Sequence, residues 1–152
     1  MFTLLSSAVV SLCLAAAADA RGARAAERAA LQSEKESRTP AQQKINSQLL
    51  YEIYRRRGEA EKKGVPPGAT LVRVDPKGRA LVDVRATVTS TLLRRIRRLG
   101  GTVVTATAAG ASTIAWIPLL KLERLAEDRA VRAIEPAAEA MTVRESTLRG
   151  SP

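Results

Sequence analysis

Residues 80–101 read ALVDVRATVTSTLLRRIRRLGG, and the hydrophobic period changes within them. Over Ala80–Val88 the apolar positions alternate. Val82, Val84, Ala86 and Val88 fall on one side, and Asp83, Arg85 and Thr87 on the other. This is the period of a half-buried strand, whose successive side chains point to opposite faces. From Thr89 onward the apolar residues recur at helical spacing, as Leu92, Leu93, Ile96 and Leu99. Thr89 supplies a capping hydroxyl for the first turn, and Gly100-Gly101 supplies left-handed backbone for the stop. A strand that runs straight into a capped helix is the opening of a βαβ unit.

Both flanks extend that unit. Downstream, Thr102–Ala108 predicts a strand that turns through Ala109-Gly110-Ala111 into another, Ser112–Ile117. Pro118 then opens a short helix with Leu119, Leu122 and Leu125 on one face, and Val131–Glu135 predicts a last strand ending at Pro136. Upstream, Leu71–Val74 and the turn Asp75-Pro76-Lys77-Gly78 make a hairpin with the strand at Ala80. The order strand, helix, strand, strand, helix, strand predicts an α+β domain over 71–136. Its plan is the ferredoxin-like βαββαβ antiparallel sheet with two helices on one face.

In the third strand Thr113, Ala115 and Ile117 are expected inward, because Ile117 must feed the helix that begins at Pro118. Ile114 and Trp116 then fall on the open face of the sheet. An uncovered tryptophan marks an interface. The other account is that an N-terminal helix carrying Ile45, Leu49 and Ile53 folds over it.

That helix is predicted over 39–64, as an amphipathic element preceding the sheet. Thr39-Pro40-Ala41-Gln42 has a capping threonine, proline at the first helical position and glutamine at the third. Gly58 or Gly64 ends it, ahead of the extended Val65-Pro66-Pro67-Gly68. Residues 21–38 are rich in Ala, Arg, Glu and Ser and read as a flexible leader. Residues 1–20 read as a signal peptide: Leu4–Ala18 is weakly apolar and Ala18-Asp19-Ala20 is a small-residue cleavage site. The run is shorter than the ~20 residues of a membrane span, and Leu12 before Cys13 argues against a lipoprotein site. A secreted or periplasmic chain cleaved near Ala20, with no stable membrane insertion afterwards, is the expectation. Residues 137–152 are small and polar and predict an extended or disordered tail.

Composition narrows the function classes. The chain has 152 residues, 45% of them hydrophobic, so one core can form, but not two sizeable ones. There is no histidine, which removes the commonest general base and the commonest metal ligand. The single cysteine, Cys13, sits in the expected signal segment, so no disulfide framework follows. An enzyme is not expected, and no cofactor or metal is called for. The net charge of +10 suits an acidic partner, an anionic membrane or nucleic acid. The one local cluster, Arg94-Arg95 and Arg97-Arg98, lacks the aromatic platforms of nucleic-acid binders and reads as a solvated helix face. Gly100-Gly101 follows a helix instead of opening one, so it is a stop and not a phosphate loop. Glu127-Asp128, adjacent at a helix end, do not face a common substrate.

Thr113–Pro136 resembles the second half of the propeptide domain of secreted bacterial subtilisin-like serine peptidases. The likeness rests on Ile117-Pro118 entering a Leu-rich helix and on Val131–Glu135-Pro136 following Glu127-Asp128. The wider stretch from Lys44 to Arg144, about two-thirds of the chain, is similar to the region between signal peptide and catalytic domain. The resemblance implies an inhibitor and folding assistant that lays its open sheet face on the peptidase and threads a tail through the cleft. Partner contacts would then be Ile114 and Trp116 on the face, and Ala137, Ala138, Glu139, Ala140, Met141 and Thr142 in the tail. No catalytic domain follows Pro152, so the peptidase is expected in trans, or the chain derives from a longer ancestral one. On residues alone the tail has the look of an ordinary linker, and that reading leads. An alternative from another class stays open: a ferredoxin-like structural or regulatory module that self-associates or binds an anion.

Overall fold

A computed structural model describes residues 22, 24–70 and 72–137. The expected signal segment and the tail beyond Ala137 lie outside them. The chain is α+β. Residues 24–36 form α1, followed by α2 (Pro40–Gln43), α3 (Ser47–Arg57), β1 (Arg79–Ala86) and α4 (Ser90–Arg98). Then come β2 (Thr102–Thr107), β3 (Ser112–Pro118), a 3-10 turn (Leu119–Lys121), α5 (Leu122–Ala126) and β4 (Val131–Pro136). The four strands lie in the order β2-β3-β1-β4, and every neighbouring pair is antiparallel. This arrangement is compatible with the expected split βαβ plan.

The local signals around residues 80–101 place the strand and the helix as anticipated, but β1 ends at Ala86 and not at Val88, and Leu93 stays outside the core. Ala80, Val82, Val84 and Ala86 are buried on one side of β1. The Thr89 hydroxyl accepts a hydrogen bond from the Leu92 amide, and α4 buries Leu92 and Ile96. Its two terminal glycines have different tasks. Gly100 takes a φ of 86°, while a Cβ on Gly101 would lie 2.8 Å from the Ile96 side chain. The Asp75 turn closes through its own carboxylate, which accepts from the amides of Lys77 and Arg79 at 2.9 and 2.8 Å. Val74 and Ala80 then form a single antiparallel bridge.

The N-terminal segment differs from expectation in two respects. The helix predicted over 39–64 is two helices. Thr39 and Gln42 make the reciprocal capping box of α2, but that helix stops after one turn. Ile45 leaves it to form a parallel bridge with Ile134 in β4; the Asn46 amide donates to the Ile134 carbonyl and the Ile134 amide to the Lys44 carbonyl. The backbone thus satisfies the outer side of β4, a stronger demand than one more helical turn. Asn46 then caps α3, its side chain accepting from the Gln48 amide, and Gly58 (φ 71°) ends α3. Residues 58–64 are turns, not helix. In the stretch expected to be a flexible leader, residues 24–36 are helical. Glu34 is buried there, with Arg38 holding both its oxygens at 2.8 and 2.7 Å and the Tyr54 hydroxyl donating to one of them at 3.1 Å.

One hydrophobic core results. Leu49, Leu50, Ile53 and Tyr54 of α3 join Leu92, Ile96, Leu119, Leu122 and Leu125 against the inward residues of the sheet. All the helices that contribute to it therefore cover the same face.

Candidate binding face

β3 alternates as its sequence demands. Thr113, Ala115 and Ile117 are fully buried toward the core, and Ile114 and Trp116 are half-buried on the opposite face. The register builds a small apolar patch there. Trp116 lies opposite Leu81 of β1 on one side and Thr102 of β2 on the other. Ile114 lies opposite Asp83 and Thr105. Leu81 is only 7% exposed yet belongs to no part of the helix-covered core.

Neither sequence account of Trp116 described its covering. α3 is on the other side of the sheet, packed with Ile117 and Val82. The indole is instead roofed by guanidinium groups, Arg73 at 5.4 Å and Arg79 at 6.0 Å from the ring centre. Arg79 is held in place by Asp75 at 2.7 Å and by the Thr102 hydroxyl at 3.1 Å. Desolvation pushes the Asp75 carboxyl up, but the hydrogen bonds from Arg79 outweigh it and hold the group below the usual carboxylate range. Cation–π contacts at partly exposed sites contribute on the order of 1 kcal/mol, so this roof is a light one. The sequence carried a signal for half of it: Arg79 shares the odd-numbered face of β1 with Leu81, but its approach to Trp116 follows only from the β1–β3 register.

The chain leaves the sheet beside this patch. The Ala137 amide donates to the Leu81 carbonyl at 3.1 Å, so Leu81 is flanked by Trp116 on β3 and by the start of the tail on the β4 side. Of the expected site residues, Ile114, Trp116 and Ala137 are thereby brought to one end of one face. Ala138, Glu139, Ala140, Met141 and Thr142 lie outside the described residues. Around the patch, Asp83 is opposed by Glu135 across the β1–β4 pair, a like-charge contact relieved by Arg85 at 3.0 Å and by the Ser112 hydroxyl.

The remaining charged clusters serve the fold. Glu123 of α5 accepts from Arg57 of α3 and from Gln42 next to Thr39, tying three helices together. Desolvation pushes its carboxyl pKa up, but the hydrogen bonds from Arg57 and Gln42 overcome that and hold it below the usual carboxylate range. Arg95 donates to the Arg124 carbonyl at 2.7 Å and sits 3.7 Å from Asp128, while Arg94, Arg97 and Arg98 are exposed. Lys44 caps the end of α5 through the carbonyls of Ala126 and Asp128. Among the described residues no group of three potential metal ligands comes together, and no helix is long and apolar enough to cross a membrane.

These features define a class, a small α+β module with one helix-covered and one open sheet face. Compared with known proteins, the chain matches no family model, no curated protein and no solved structure.

Proposed function

We propose that this chain is a secreted, non-enzymatic binding module of ferredoxin-like plan that inhibits a subtilisin-like serine peptidase or assists its folding. The observation that carries the reading is the asymmetry of the sheet. Its helices lie on one face, and Leu81, Ile114 and Trp116 lie on the other, next to the point where the tail departs. In this reading residues 1–20 are an export signal, the patch rests on the peptidase surface, and Ala137–Thr142 enters the cleft as a substrate-like strand. Main-chain hydrogen bonds hold the tail, as in other cases of strand addition. The arginine roof over Trp116 supports this account, because cation–π contacts of this kind contribute only on the order of 1 kcal/mol and lie outside the helix-covered core.

The test is an inhibition titration of a subtilisin-like peptidase with the chain from Arg21 to Pro152. Inhibition is expected, with at least a tenfold loss in Trp116→Ala and in a chain ending at Ala137. Removing a buried aromatic anchor from an interface costs about 2 kcal/mol or more, hence the size of the loss. Absence of inhibition across several such peptidases, with the folded state verified by circular dichroism, rules the proposal out.

A further inference from the structure

The chain treats the two edges of its sheet differently. At β4 the outer side is occupied, because Asn46 donates to the Ile134 carbonyl at 2.9 Å and Ile134 to the Lys44 carbonyl at 2.7 Å. β4 also carries Arg132, Glu135 and Pro136, residue types that discourage further pairing. β2, at the opposite edge, reads TVVTAT, without a charge or a proline in a chain that is 26% charged. All of its residues but Val103 are exposed, Val104 at 57%. Among the described residues no backbone group outside β3 hydrogen-bonds to it. Among the described residues the ladder of this edge is interrupted by one irregularity, between Val103 and Thr105.

We propose that β2 is a self-pairing edge, through which two copies of this chain join antiparallel about a two-fold axis into one continuous sheet. The face pattern of the strand is what selects a second copy. Thr102 and Thr107 sit on the open face, opposite Trp116 and Ser112, while Val103 and Ala106 sit on the core side, opposite Ala115 and Thr113. With the axis between Val104 and Thr105, Thr102 meets the other Thr107 and Val103 meets the other Ala106. Threonine then meets threonine on the open face and apolar meets apolar on the core side, Val104 meets the other Thr105 at the axis where the strand is irregular, and no like charges are opposed. An uncharged edge offers a foreign strand no charge code, whereas its own repeat sets the register.

A single strand pair buries an area at the low end of specific interfaces, so the association is weak and concentration-dependent. Each copy carries +10, and salt that screens this repulsion tightens the dimer. The join leaves Trp116 and the exit at Ala137 free, so the dimer presents two open faces. The proposal does not depend on the identity of the partner that those faces take.

Sedimentation equilibrium of the full 152-residue chain, at rising concentration and two salt levels, tests it. The expected result is a mass that doubles with concentration, at lower concentration when salt is added. Val104→Lys and, separately, Thr105→Lys return the mass to one chain while far-UV dichroism and Trp116 fluorescence stay unchanged. In the unmodified chain, amide exchange over 102–107 slows as the dimer forms. A single-chain mass at every concentration overturns the proposal. So does a dimer that survives either lysine in a folded variant, that salt dissociates, or that leaves exchange at 102–107 unaltered.

Discussion

Adjacent residues of β3 face opposite environments, and this makes single substitutions informative. Ile117 is fully buried among α3 and the Leu119–Leu125 cluster, so Ile117→Ala removes packing that nothing can refill. A loss of about 2–5 kcal/mol is expected from urea unfolding, whereas Trp116→Ala, one position away on the lightly roofed face, costs well under that. Equal losses would mean that the two faces are not distinct. Thr113 poses a different question, because it is fully buried and its hydroxyl has no hydrogen-bond partner. A buried unpaired hydroxyl costs about 1–3 kcal/mol, and valine keeps the shape without it. Thr113→Val is therefore expected to raise the urea midpoint by the equivalent of about 1 kcal/mol, and a lowered midpoint would reveal a partner for the hydroxyl.

α1 is joined to α3 by a polar cluster that an isolated helix would not need. Glu34 is gripped by Arg38, receives the Tyr54 hydroxyl, and has Ser47 beside it through Arg38 at 3.1 Å. Burial, then the neighbouring Glu34, pushes the Tyr54 phenol up to about 12 from its ordinary 10.0. The folded pKa lies above the unfolded one, so this phenol contributes stability that is complete below about pH 10 and is lost as pH rises towards 12. Ultraviolet titration is expected to resolve a phenolate step near 12 that Tyr54→Phe removes, together with the alkaline loss of stability. The Glu34–Arg38 spacing is visible in the sequence, but its link to Tyr54, twenty residues on, is not. The same limit applied at residues 39–64. The capping box at Thr39 and the apolar stripe from Ile45 were legible because they are local. The break between them was not, because it is imposed by the unpaired edge of β4, ninety residues away. Strand alternation placed Ile114 and Trp116 correctly, since a period of two allows only two faces. The arginine roof required the pairing register, which no local pattern encodes.

At the scale of the whole molecule the excess of positive charge decides how the fold fails in acid. Glu123, which binds α2, α3 and α5 together, and Asp75, which positions the roof of Trp116, are both held below their ordinary values. Carboxyls of this kind bind protons more readily in the unfolded chain. Their contribution is therefore complete above the ordinary carboxylate range and disappears as pH falls through the depressed folded values. Over the same interval the 15 acidic residues lose their charge while the 25 lysines and arginines keep theirs, so self-repulsion grows as the ties weaken. Below about pH 4 the chain is expected to unfold cooperatively, with the midpoint moving to lower pH as salt shortens the screening length. Glu123→Gln keeps hydrogen bonding to Gln42 but forfeits the ion pair with Arg57. It should be less stable than the unmodified chain at neutral pH and converge with it in acid, read from dichroism across the titration. Parallel curves at all pH values would show that Glu123 is not where the acid sensitivity resides. Because the Asp75 carboxyl that holds Arg79 over Trp116 stays ionised below its ordinary range, Trp116 fluorescence should change together with the global transition, and a change well ahead of it would show that Asp75 does not secure the open face.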